Sequence, residues 1–205
     1  DAITTYLAFA IDRMADRNSS ICSWDASRLH ARNVFARQAI PMTWDFAENA
    51  PLGDSSGSWT NCVAGITVVI TQLPTDSGGR TAQRDARARI GEVGTCVVST
   101  DPPYYDNVGY ADLSDFFYVW LRRNLAGVWP DECATLLTPK AEELIADASR
   151  AGSAEAAKAH FELGMQGVFG QAAEHADPRF PATVFYAFRA TEKDRKSTRL
   201  NSSHT

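Results

Sequence analysis

The chain has 205 residues, of which 44% are hydrophobic and 22% charged, and its formal net charge is -5. That content suffices for one domain, or most of one, with a buried core of ordinary size. The acidity excludes a stand-alone module that grips nucleic acid by bulk electrostatics, although a catalytic domain can leave phosphate contacts to a separate recognition region.

Residues 2–17 place Ile3, Leu7, Ala10, Ile11 and Met14 on one face at helical spacing, with Asp12, Arg13, Asp16 and Arg17 opposite, which predicts an amphipathic helix. Residues 34–52 mix aromatic and charged side chains, and Pro41 and Pro51 interrupt any long helix there; residues 53–58 read as a loop. Residues 59–73 form a short apolar run in which periodicity alone does not separate helix from buried strand, and the reading leans to helix.

After a turn at residues 74–79, a short strand is expected over 81–85 and another over 95–100. From Ala111 the period changes: Leu113, Phe116, Phe117, Trp120 and Leu121 make an apolar helical face ending near Gly127, and Asp112 with Asp115 resembles a helix-starting cap. A further helix is expected from Ser153, with Phe161, Met165, Val168, Phe169 and Ala172 on its stripe. Residues 182–188 then look like a strand covered on both faces. Strands alternating with helices predict an α/β fold with a mainly parallel sheet.

No apolar stretch is long enough to span a bilayer and no basic-then-apolar leader opens the chain, so a cytoplasmic protein is expected. Cys22, Cys62, Cys96 and Cys133 lie tens of residues apart, as scattered as His30, His160, His175 and His204, so no metal site is expected. Arg80, Arg84, Arg87 and Arg89, and Arg122 with Arg123, form local basic clusters that read as solvated faces. Residues 191–205 are polar and resemble translated sequencing-adapter sequence that recurs at the ends of many unrelated chains; they are set aside as a non-native or disordered tail.

The informative string is Val98-Ser99-Thr100-Asp101-Pro102-Pro103-Tyr104-Tyr105-Asp106-Asn107, in which a hydrophobic strand delivers an acid, two prolines and an aromatic to its carboxyl end. Ligands of open α/β sheets bind at that edge. Chance occurrence of Asp-Pro-Pro-Tyr in such a chain has odds on the order of one in a thousand. Two readings fit the string: a rigid loop that packs its aromatics, or a site for methylating an amino group. An adenine amino nitrogen is a poor nucleophile because its lone pair is delocalised into the ring. If the Asp101 carboxylate and the Pro102 carbonyl accept its two hydrogens, the nitrogen rehybridises and its lone pair points at a methyl donor. Tyr104 would stack on a base flipped from the duplex, and the prolines would stiffen the loop.

The string resembles that of amino-methyltransferases carrying Asp-Pro-Pro-Tyr, and more closely the large prokaryotic adenine-specific DNA methylases described as containing a Zn-ribbon. The resemblance runs through FARQAIPMTWDFAENAPLGDSSGSW (35–59), DPPYYDNVGYADLSDFFYVWLRR (101–123) and PKAEEL (139–144), and extends over residues 1–190. It implies a partial Rossmann-like catalytic domain, S-adenosylmethionine as cofactor and DNA as partner, with Asp101, Pro102, Pro103 and Tyr104 as the amino-group and base-binding motif. Asp85, in Arg84-Asp85-Ala86, matches the acidic position that often contacts the cofactor adenine in such folds. Tyr105, Asp106, Asn107 and Tyr110 continue the family string.

The glycine-rich Asp-Pro-Phe-x-Gly-Gly-Gly loop of the family and the paired cysteines of its Zn-ribbon are missing from this sequence. Both lie upstream in such proteins, so an internal fragment with little activity of its own is expected. The motif equally admits RNA or a protein glutamine as substrate, and a non-catalytic interaction domain of the same fold is the alternative from outside enzymology.

Overall fold

The structure is a computed structural model that describes residues 1–35, 39–40, 42–74, 78–88, 94–106 and 108–186. The reading of residues 191–205 as a tail, and the places of Arg37, Pro41, Arg89, Asn107 and residues 187–188, fall outside the described residues. The chain divides into two compact units, one formed by Asp1–Gln83 and Gly109–Glu143, the other by Arg84–Val108 and the described residues from Leu144 onward.

The first unit is helical. Helix α1 (Ala2–Ala15) packs against both α2 (Trp59–Gln72) and α3 (Tyr110–Leu125). Because neighbours approach α1 from two sides, its buried positions are Ala8 and Ala10, while Ile3 and Leu7 of the expected apolar face stay exposed. Ala8 meets Leu125 and Cys133, with Leu121 packed beside them. A fully buried leucine contributes about 1.5–3 kcal/mol relative to an exposed one, so Leu125 anchors this contact. Phe35 lies against Phe116 and Phe117, with ring centroids 5.6 and 5.5 Å away.

Residues beyond the end of α1 organise the loops that follow. Val34 N–H donates to the Asp16 carbonyl, and Asn49 Nδ2 to the Arg17 carbonyl at 2.6 Å. Asn18 Nδ2 donates to the Gly57 carbonyl at 2.8 Å. Gly57 has φ +91°, and a Cβ there would collide with the Arg17 side chain, so only glycine fits this approach. Ser58, fully buried, then caps α2 by accepting from the Asn61 N–H. The helical alternative for residues 59–73 is thus the one realised.

A short antiparallel hairpin, β1 (Trp24–Asp25) with β2 (His30–Ala31), has no counterpart in the expected elements. Its turn is built by Asp25, whose Oδ1 accepts from the Ser27 N–H, the Ser27 hydroxyl and the Arg28 N–H, while Arg32 binds Oδ2. Two-residue strands carry too little alternation to be seen as a period.

Helix α3 begins one residue before its expected start, but its cap differs from expectation. Gly109 is the N-cap and makes no side-chain cap bond; Glu143 Oε1 accepts the Ala111 N–H at 2.9 Å. Asp115 turns instead to Thr138 and Lys140, and the Thr138 hydroxyl also donates to the Ala111 carbonyl at 2.6 Å. Segment 138–143 is thereby fastened along the first turns of α3. Arg122 and Arg123 in its last turn complement the helix dipole.

In the second unit, β3 (Ser99–Thr100) pairs in parallel with β4 (Thr183–Val184), in the register Ser99↔Thr183 and Thr100↔Val184. A parallel bridge joins Cys96 to Ala176 further back. Between these strands in sequence, α4 (Ala148–Ala151) and α5 (Ala154–His175) supply the helical part of the unit. Asp147 caps α4, and Ser153 caps α5 by accepting from the Ala156 N–H. Helix α5 buries Ala157, Phe161, Gly164 and Met165, with Leu144 seated over Gly164.

Among the described residues the architecture is mixed, with helices and two two-stranded sheets, one of them parallel, which is compatible with an α/β reading. Three expected strands change. Residues 81–85 form no strand; residues 95–100 contract to Ser99–Thr100 plus the Cys96 bridge; and residues 182–188 contract to Thr183–Val184 within the described part. Nor is β4 covered on both faces: Val184 is 45% and Phe185 60% exposed. In a two-stranded sheet each strand has one hydrogen-bonded neighbour, and β-rich composition alone does not lengthen a ladder. Among the described residues no helix is long and apolar enough to cross a membrane.

Candidate functional site

Asp101 directly follows β3, at the carboxyl end of a strand in a parallel pair. The pairing continues to that edge, since the Phe185 N–H donates to the Thr100 carbonyl at 2.8 Å. Asp101 is exposed, while Pro102 behind it is buried and Pro103 half-buried. The chain thus leaves the sheet through a rigid, packed dipeptide with the carboxylate on the outside.

The Tyr104 hydroxyl donates to Asp101 Oδ1 at 2.9 Å. Among the described residues Asp101 Oδ2 accepts no hydrogen bond, so one carboxylate oxygen is oriented and the other is available. The Tyr104 ring meets the Tyr186 ring edge to face, with centroids 5.4 Å apart and planes at 82°.

Tyr105 goes the other way. Its ring meets Phe161 of α5 edge to face at 5.2 Å, and its carbonyl accepts the Ala146 N–H at 2.8 Å. Its own N–H donates to the Tyr186 hydroxyl oxygen at 3.3 Å. Adjacent tyrosines therefore fix the loop on two sides, through β4 and through α5.

Asp85, the expected cofactor contact, does not follow a strand. Its carboxylate is closed on Arg87, which donates from Nε to Oδ1 at 2.9 Å and from Nη2 to Oδ2 at 2.7 Å, with its N–H also on Oδ1. The Arg87 side-chain bonds, then its backbone bond, hold the Asp85 carboxyl down at about 2. The Arg87 stem rests over Gly167 of α5, where an added Cβ would stand 3.4 Å from Arg87 Cγ. A cofactor reaching this carboxylate would have to compete with a bidentate pair.

Burial pushes the Cys22, Cys62 and Cys133 thiols up, the opposite of what a nucleophile requires. Among the described residues no three His, Cys, Asp or Glu side chains gather as a metal would need. The first unit contains a cleft of about 700 Å³ walled by Phe9, Tyr118, Leu121 and Trp129, and no motif residue lines it.

The structure brings together Asp101 and Tyr104, with Pro102 and Pro103 as their support, and leaves Asp85 engaged elsewhere. Tyr186 is the member of the cluster that sequence reasoning missed. Its signal was its place just past a strand parallel to the one carrying the motif, hidden in an apolar and aromatic run. No family model, no curated protein and no solved structure matches the chain.

Proposed function

We propose that the chain is part of an adenine-specific DNA amino-methyltransferase with a Rossmann-like catalytic fold, working with S-adenosylmethionine. The observation that carries this reading is the exposed Asp101 carboxylate at the end of a parallel strand, with one oxygen held by Tyr104 and the other available. The parallel pairing of β3 with β4 across the α5 segment supports the fold assignment.

In this reading Asp101 Oδ2 and the Pro102 carbonyl each accept one hydrogen of the target amino group. Those bonds withdraw the nitrogen lone pair from the ring and strengthen as positive charge develops on nitrogen. A hydrogen bond to a charged partner is worth about 1.5–3 kcal/mol, and its growth in the transition state is what counts for rate. In this reading the Tyr104 ring holds the extruded base by stacking, at roughly 1–3 kcal/mol by analogy with other aromatic platforms. S-adenosylmethionine, when bound, supplies an activated methyl group. The carboxylate of Asp85, the residue the resemblance assigns to the cofactor, is closed on Arg87.

The test uses the full-length gene product with radiolabelled cofactor and three substrate classes: duplex DNA, RNA and protein. Label in methyladenine of DNA, abolished in Asp101→Ala, is the expected result. Transfer confined to RNA or to protein glutamine would move the substrate, and DNA methylation indifferent to Asp101→Ala would remove the mechanism.

A further inference from the structure

We propose that Tyr186 is a positioning residue of the target-base site, an inference that rests on the reading above. Tyr186 and Tyr105 are 81 positions apart in sequence, yet the Tyr186 hydroxyl oxygen takes the Tyr105 N–H at 3.3 Å. The same side chain packs edge to face with Tyr104 at 5.4 Å. Tyr104 in turn donates to Asp101 at 2.9 Å. One side chain thus fixes the peptide that separates the two motif tyrosines and the plane of the ring that would carry the base.

The parallel register explains how it arrives there. Thr100 pairs with Val184, and the Phe185 N–H closes the ladder on the Thr100 carbonyl, so the two chains leave the sheet side by side. Asp101 and Tyr104 follow one strand, and Tyr186 follows the other. The base platform is therefore built from two strand ends, and the second belongs to neither the Asp-Pro-Pro-Tyr string nor its continuation.

The hydroxyl and the ring of Tyr186 act separately. Tyr186→Phe removes the acceptor for the Tyr105 N–H and retains the ring contact; Tyr186→Leu removes both. The ring sets the plane of Tyr104, so it governs how well a flipped base stacks. In the full-length enzyme, Tyr186→Leu should raise KM for duplex DNA by about tenfold, as partial loss of one stacking contact implies. KM for S-adenosylmethionine and the melting temperature should stay at wild-type values. Tyr186→Phe should restore KM for DNA to within about threefold of wild type, since the aromatic contact remains.

A double-mutant cycle with Tyr104→Leu and Tyr186→Leu separates positioning from general support. Effects on KM for DNA that are less than additive are expected, because Tyr186 acts through Tyr104. Should Tyr186→Leu lose folded protein, Tyr186→Ile serves as the second ring-less variant, and the phenylalanine comparison stands by itself. An unchanged KM for DNA in a folded ring-less variant, strictly additive effects, or equal rises in both KM values would overturn the inference while leaving methylation by wild type intact. Failure of the wild-type enzyme to methylate adenine would instead remove the parent reading and this inference with it.

Discussion

Lys140 Nζ lies 2.6 Å from Asp115 Oδ2, an ion pair whose side chains are only 27% and 22% exposed. Asp115 Oδ1 also takes the Thr138 N–H at 2.8 Å and stands 2.7 Å from the Thr138 hydroxyl, whose single hydrogen it shares with the Ala111 carbonyl. One carboxylate thus ties segment 138–140 to the second turn of α3.

Asp115→Ala strands the Thr138 donors and the Lys140 ammonium, and should lower the stability of the first unit by about 2–3 kcal/mol. Lys140→Met keeps the carboxylate's other bonds and should cost less. Urea unfolding of both variants measures the difference; equal losses would mean that the ion pair, not the Thr138 bonds, dominates.

The same carboxylate gives a pH dependence. Burial raises the Asp115 pKa, but the Lys140 and Thr138 bonds outweigh it and leave it below its ordinary value of 3.8. A lowered folded pKa contributes stability that is present above the unfolded value and lost as pH falls through the folded one. Unfolding midpoints taken between pH 5 and 2 should therefore fall less steeply in Asp115→Asn than in wild type. Parallel slopes would remove this assignment.

Asp12 on α1 works in the opposite direction. Burial raises its carboxyl from 3.8 to about 7, and its Oδ1 is buried with no hydrogen-bond partner among the described residues. The folded state keeps a proton that the unfolded state has released, so its stabilising contribution is present below 3.8 and lost as pH rises through about 7. Asp12→Asn should stabilise the protein at pH 8 by roughly 1 kcal/mol, a figure discounted for solvent screening at a part-exposed site. At pH 4 it should have little effect. Thermal melting at the two pH values checks the sign.

Gly164 on α5 faces Leu144, and an added Cβ would collide with that leucine's side chain. Gly164→Ala gains helix propensity of about 1 kcal/mol but overpacks the contact by about 1–3 kcal/mol. The expected balance is mild destabilisation, with a smaller effect of Gly164→Ala when it is made in the Leu144→Ala background. Circular-dichroism melts of the single and double variants decide it.

Tyr104→Phe tests the proposed site by keeping the ring and deleting the donor to Asp101. Under the proposed function, kcat for DNA methylation should fall about tenfold, the size expected for one hydrogen bond to a charged group, while KM for DNA changes little. A rise in KM with constant kcat would assign the phenol to binding instead.

Much of the helical framework was legible in the sequence because α1, α3 and α5 alternate apolar and polar residues at helical spacing, and they lie close to where that spacing puts them, whereas the apolar run of α2 carries no such contrast. The Asp112–Asp115 cap was misread since Asp115 finds partners 23 and 25 positions away, which no local pattern encodes. Strands of two residues escape periodicity altogether, and residues 81–85, expected as a strand, pair with no neighbour among the described residues. Asp101 at a strand end was readable from the apolar run before it. Tyr186 was not, because its partners lie across a parallel pairing whose register no sequence motif states.

The divergence of Tyr104 and Tyr105 toward different elements has a thermodynamic consequence. The peptide plane between them is pinned from both sides before anything binds, so a ligand meeting Asp101 finds a surface whose backbone disorder has already been removed. Calorimetry of such an encounter would record a small entropic penalty from the loop, with the temperature dependence of association set by the ligand's own desolvation.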